Sequence, residues 1–222
     1  MPTPSHRPIF CDKLRNSMTH SNPDQLQFID LPPDPFIRKF AAHLSLHQQV
    51  ELEMLDIGCG TGRNARYLAA EGHTVFGITN DPYELRDAER YAVESGVSDN
   101  SVYIQADARN LPEFGQQFDA VIITELLHLL TKRQSTALLD FSARLVRPGG
   151  FHVVSGYVAD PSVLTAHNRE HCLAPDELRL AYPASAWNIE KFCTSRQPAG
   201  RQGSKEILNS RDQIIARKLL AS

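Results

Sequence analysis

Long apolar runs are missing from this sequence. No stretch approaches the roughly 20 residues of a membrane-crossing helix, so no membrane partner is expected. The opening MPTPSHRPIFCDKLRNS lacks the apolar centre of a secretory signal peptide. An excess of one charge is missing too, with 23 Lys and Arg against 26 Asp and Glu and a net charge of -3. That balance disfavours a nucleic-acid partner, which needs a basic surface. Cysteines are few: Cys11, Cys59, Cys172 and Cys193 are scattered, with no CxxC pair. Such spacing fits reduced thiols better than a disulfide frame or a zinc site, so no metal and a cytoplasmic location are expected. What remains is ordinary globular chemistry. The 222 residues, 41% hydrophobic and 22% charged, are enough for one well-filled domain.

Seven of the 14 prolines fall within the first 35 residues, which predicts an N-terminal arm or lid over 1–33 and a folded domain over 34–222. FIRKFAAHL then has amphipathic helical spacing, with Phe36, Ile37, Phe40 and Leu44 on one side. From there strands and helices alternate. MLDI, TVFGI, SVYIQA, FDAVIIT and FHVVSGYV read as strands, and the segments after the first, second and fourth read as helices. Thr131 and Gln134 have capping-box spacing at the start of a helix that buries Leu138, Phe141 and Leu145. After an RPGG turn and the fifth strand, PDELRLAY predicts a helix and WNIEKFCTS and RDQIIARKLL two more strands. The expected fold is α/β, a doubly wound, mostly parallel sheet with an antiparallel C-terminal edge.

The stretch LDIGCGTGRN raises the functional question. Gly58, Gly60 and Gly62 make a tight loop in which a ligand can approach bare backbone. The spacing is GxGxG, not the dinucleotide fingerprint GxGxxG, and Asp56 stands two residues before the first glycine. A carboxylate facing a pyrophosphate costs on the order of several kcal/mol in a low-dielectric cleft. Asp56 suits a ligand with a cationic end, and S-adenosylmethionine, with an ammonium, a sulfonium and no phosphate, meets both requirements.

LDIGCGTG, ADARNLP, FDAVI and LVRPGG, in this order and at these distances, resemble the class I S-adenosylmethionine-dependent methyltransferases over roughly residues 50 to 160. GRNARYLAAEGHTV and IIARKLL are similar, more loosely, to the tellurite-resistance methyltransferase group. The resemblance implies a seven-stranded sheet and S-adenosylmethionine as cofactor. Asp56, Gly58, Gly60 and Gly62 would hold its methionine part, with Thr61, Asn64 and Thr124 in the same cofactor set. Asp107 and Ala108 match the family's adenine-binding pair. One departure stands out: most of the family ends the second strand in an acid that grips the ribose, and this chain has Thr79 there. Asp81, Pro82 and Glu84 read as the N-cap, first-turn proline and third-position acid of the next helix, so the ribose falls to Thr79 and Asn80.

Methyl transfer is an in-line displacement in which positioning can do much of the work. A protonated acceptor also needs a base, and Glu125 and His128 follow the fourth strand at the expected cleft mouth. Each has a plain alternative: His128 among leucines satisfied by a carbonyl, and Glu125 lining the cofactor pocket. Tyr157, at the end of the fifth strand, and Arg169, in the AHNREHC stretch, are candidates for the acceptor side. His167 and His171 have no third ligand of convincing spacing. The expected activity is methylation of a small molecule. A soft anionic acceptor (a thiolate or a tellurite-like oxyanion) and a non-catalytic binding module are the alternatives. Titration calorimetry separates the ligand classes: S-adenosylmethionine or its demethylated product binds and NAD does not, whereas heat from NAD alone would contradict the reading of Asp56.

Overall fold

Apolar β-branched runs flanked by turn residues form the centre of the structure, a computed structural model that describes residues 31–158, 171–202 and 205–220. The expected arm therefore lies outside the described residues except for 31–33. Helix α1 spans Pro35–Leu46, β1 Glu53–Ile57, α2 Arg63–Ala70, β2 Thr74–Thr79, α3 Pro82–Glu94, β3 Ser101–Gln105 and β4 Phe118–Ile123. A 3₁₀ turn at Leu127–Leu129 leads to α4 (Lys132–Leu145), β5 (Val146–Val158), a one-turn α5 (Glu177–Leu180), β6 (Trp187–Gln202) and β7 (Lys205–Lys218).

The seven strands form one sheet in the order β3-β2-β1-β4-β5-β7-β6. The first five are parallel, and β7 runs antiparallel to both β5 and β6. This is the expected architecture. The order reverses direction between β1 and β4, so the crevice beyond their carboxyl ends is where such sheets bind ligands. RPGG is no simple turn before β5. It lies within that strand as a bulge: Phe118 pairs with Val146 and Ala120 already with Phe151. Gly149, at φ +80, provides the bend.

Side chains alternate across the sheet, which makes two cores. Phe36, Phe40, Leu44 and Leu68 pack against Met54, Val75, Ile122 and Phe151 on one face. Leu127, Leu138 and Leu178 pack against Ile57, Ile78, Ile123, Val154 and Ile214 on the other. Each such fully buried side chain contributes about 1.5–3 kcal/mol. Phe141 and Leu145 are only partly buried at the rim of α4. Two caps follow the sequence, Asp81 accepting from Tyr83 N at 2.7 Å and Thr131 with Gln134 closing a capping box, and Asp34 also caps α1, accepting from Phe36 N at 2.8 Å. The segment expected as a longer helix at 175–182 makes only the single turn of α5.

One buried polar cluster lies in the second core. His152 Nε2 is 3.0 Å from Ser142 Oγ and its Nδ1 2.9 Å from Tyr182 Oη. Because Ser142 Oγ donates to Leu138 O at 2.7 Å, it accepts from Nε2–H, and Nδ1 accepts from the tyrosine. Burial, with Lys218 adding to it, lowers the pKa of His152 from its usual 6.5 to about 3. Its stabilising contribution is therefore complete above pH 6.5 and lost as pH falls toward 3. Between pH 7 and 4.5 the wild-type protein should lose roughly 2–3 kcal/mol more than H152Q in urea unfolding. Equal losses would contradict a neutral buried imidazole.

Candidate active site

The chain leaves β1 through a loop that only glycine geometry permits. Gly58, Gly60 and Gly62 all have positive φ, at +79, +57 and +78. A Cβ on Gly58 would sit 2.9 Å from Leu126 Cδ2, and one on Gly62 would sit 2.7 Å from Tyr103 Oη. The amides of Gly58 and Cys59 both donate to Ile78 O at 2.8 Å, which ties the loop to β2. A Cβ on Gly60 would meet nothing closer than Glu84 Oε1 at 3.7 Å, so the loop's centre faces open space.

That space is a cavity of about 790 Å³ beyond the carboxyl ends of β1, β2 and β4. Its wall gathers Gly58, Gly60, Thr61, Asn64, Thr79, Asn80, Asp107, Ala108, Thr124 and Glu125, residues expected from the sequence to share a site. Asp56 and Gly62 lie behind this wall. His128 and Tyr157 are not among the lining residues; they form an edge-to-face pair, ring centres 4.8 Å apart. Arg169 lies outside the described residues, as do His167 and Glu170. His171 Nδ1 is 2.9 Å from Leu130 O. Among the described residues no group of three His, Cys, Asp or Glu side chains is placed to hold a metal.

Asp56 is fully buried and neither of its oxygens has a hydrogen-bond partner. Desolvation raises its pKa to about 7, with Arg63 pulling the other way. The same burial, together with Asp56 and Glu84, pushes the Cys59 thiol well above its ordinary range, so it stays protonated. On the wall itself four carboxylates (Asp81, Glu84, Asp107, Glu125) face two guanidiniums (Arg63, Arg109). Such a cavity favours a cation and opposes a pyrophosphate. Bare glycine backbone, an orphaned carboxylate and a negative wall together fit S-adenosylmethionine.

The β2 corner differs from what the sequence suggests. Asp81 does cap α3, but Glu84 does not turn back to the cap. Its carboxylate accepts from Thr79 Oγ1 at 2.7 Å, and Asp81 N donates to the same hydroxyl at 3.3 Å. Thr79 is thus already engaged, and Glu84 brings to this corner the carboxylate that the second strand lacks. The available signal was helical geometry, since the first turn of α3 overhangs the end of β2. At the far rim, Arg109 clasps Asp107, its Nε 2.9 Å from both carboxylate oxygens, and holds its pKa below the ordinary value. Glu125, at φ +54, pairs with Arg63 and, at 3.0 Å, with Arg211. The remaining wall is apolar: Leu31, Leu126, Leu129 and Leu130. Of these, Leu31 is 50% and Leu129 66% exposed.

The methyltransferase domain family matches residues 54–150. A ubiquinone biosynthesis O-methyltransferase from Agrobacterium fabrum is 32% identical over 185 residues, 76% of this chain and 71% of that protein. The chain belongs to the S-adenosylmethionine-dependent methyltransferases. The 2-heptyl-1-hydroxyquinolin-4(1H)-one methyltransferase of Mycobacteroides abscessus is 27% identical over 175 residues, 78% of this methyltransferase and 74% of the relative. TehB from Haemophilus influenzae superposes with a TM-score of 0.68 at 17% identity, covering 82% of this chain and 61% of TehB. At that identity the likeness shows the shared fold, and the similarity to the tellurite-resistance group goes no further. The methyl donor is S-adenosylmethionine.

Asp56 gives the methyltransferase an unusual pH dependence. Its folded pKa of about 7 exceeds the ordinary 3.8, so a stability penalty accumulates as pH rises through that window and is complete above it. Asp56→Asn should stabilise the ligand-free protein at pH 8 by on the order of a few kcal/mol and leave it nearly unchanged at pH 4. Denaturant unfolding at both values checks this, and a variant less stable than wild type at pH 8 would contradict it.

Proposed function

We propose that the protein transfers the methyl group of S-adenosylmethionine to a nucleophilic oxygen on a small acceptor with an apolar body. The supporting observation is the division of one cavity into a polar wall and a leucine wall. Thr79, Glu84 and Asp107 suit the hydroxyls and amine of a nucleoside, and Leu31, Leu126, Leu129 and Leu130 suit a hydrocarbon surface. The relative from Mycobacteroides abscessus acts on a hydroxyquinolinone with a heptyl chain, an acceptor of this kind.

When bound, the donor supplies an electrophilic methyl group on a sulfonium. The chain's own residues bind and orient. The glycine loop with Asp56 and Arg63 receives the methionine end. Glu84, braced by Thr79, takes the ribose hydroxyls with Asn80 beside it, and Asp107 accepts the adenine amine next to Ala108. Thr61, Asn64 and Thr124 complete that wall. Glu125 lies between two guanidiniums, which fits a fixed counter-charge better than a proton acceptor. His128, on the 3₁₀ turn and braced by Tyr157, is the better base. The leucines offer an apolar surface to the acceptor, and Arg169 remains a candidate guide for it.

A second reading keeps the same donor site and gives it a soft anion, a thiolate or tellurite-like oxyanion, that needs no base. A third is a binding module that turns nothing over. Methyl transfer measured against alkylated hydroxyaromatics, thiols and tellurite distinguishes them. The first class should be turned over, with His128→Ala lowering kcat by ~10²–10⁴. Glu84→Gln should weaken the donor about tenfold, whereas Asp81→Asn should leave it unchanged, because Asn caps equally well. Turnover of tellurite alone, or binding without any turnover, would favour the second or third reading.

A further inference from the structure

Four cavity-wall residues, Arg63, Asn64, Thr124 and Glu125, are held from outside the cavity by one buried group that the sequence did not single out. Arg211 lies on β7, with its side chain 6% exposed. One arm of its guanidinium pairs with Asp34, whose side chain is 3% exposed, and the other donates to Glu125 Oε1 at 3.0 Å. One arm thus ends on a wall residue, Glu125, and the other reaches the wall only through Asp34. Glu125 pairs in turn with Arg63. Asp34 N donates to Asn64 Oδ1 at 2.9 Å, and Asn64 Nδ2 donates to Thr124 Oγ1 at 2.9 Å.

The charges alternate along this path: Asp34, Arg211, Glu125, Arg63, and behind Arg63 the buried Asp56. Asp34 and Glu125 are each paired with Arg211, and removing that guanidinium leaves the buried Asp34 carboxylate without a charged partner. The path also joins segments 177 residues apart in the chain. Asp34 caps α1 and lies three residues after Leu31, which lines the cavity.

We propose that Arg211 is a positioning residue for the methyl donor: it touches neither donor nor acceptor, and holds Glu125 and Arg63 on one side and Asn64 and Thr124 on the other in their binding arrangement. The proposal rests on the donor-site reading above. A planar guanidinium can hold two carboxylates at once, and an ammonium is a single point charge.

The test is calorimetric titration of the full chain with S-adenosylhomocysteine. R211M should weaken binding about tenfold or more, and R211K by less, as charge-assisted hydrogen bonds of this kind imply. E125Q should weaken it in the wild-type background and add little in R211M or R211K, because both act along one path. L138A, a cavity in the opposite core, should lower the melting temperature and leave affinity intact. That control separates positioning from general loss of stability. Where R211M does not fold, the R211K cycle with E125Q carries the test. Unchanged affinity in the Arg211 variants, or losses that add with E125Q, would overturn the assignment alone. Wild-type protein that fails to bind S-adenosylhomocysteine would overturn the donor-site reading and this assignment together.

Discussion

A carboxylate with no hydrogen-bond partner, fully buried at the end of the central strand, is the constraint around which this fold is arranged. Asp56 gains nothing from its surroundings except the field of Arg63. A group so placed weakens the ligand-free protein. The neighbouring features make sense as preparation for a cation. Three positive-φ glycines follow within six residues of the carboxylate, and α2 starts at Arg63, the only cation among the causes of its shift.

His152 makes a useful contrast within the same sheet. It is as deeply buried as Asp56, but both its nitrogens have partners and its pKa moves so as to keep it neutral. A satisfied polar group of this type specifies packing between β5, α4 and the segment before β6. Asp56 does the reverse, giving up stability at the end of the strand that leads into the glycine loop. The two groups also oppose each other in pH dependence, since one favours folding at higher pH and the other at lower pH.

The sheet was legible because its signals are local. Apolar runs, glycine stops and the capping residues Asp81 and Thr131 each lie within a few residues of what they determine, and all seven strands and the antiparallel edge follow from them. The glycine loop and the Asp107 rim were legible for the same reason. Other features depend on contacts that no local pattern encodes. Glu84 carries the spacing of a capping acid, and only the overhang of α3 above β2 turns it to Thr79. Arg211 meets Asp34 across almost the whole chain. RPGG looks like a turn, but pairing on both sides of the bulge keeps it within β5. The helix expected at 175–182 shrank to the single turn Glu177–Leu180, with Leu178 buried and Leu180 80% exposed.

If the orphaned carboxylate awaits a cation, ligand binding must move a proton. Near pH 7 Asp56 is partly protonated, and a cationic group arriving across the loop lowers its pKa. The most direct measurement is S-adenosylhomocysteine binding at pH 7 by calorimetry in buffers of different ionisation enthalpy. The expected result is release of a fraction of a proton by the wild type and none by Asp56→Asn. Equal proton release by the two proteins, or none by the wild type, would contradict it.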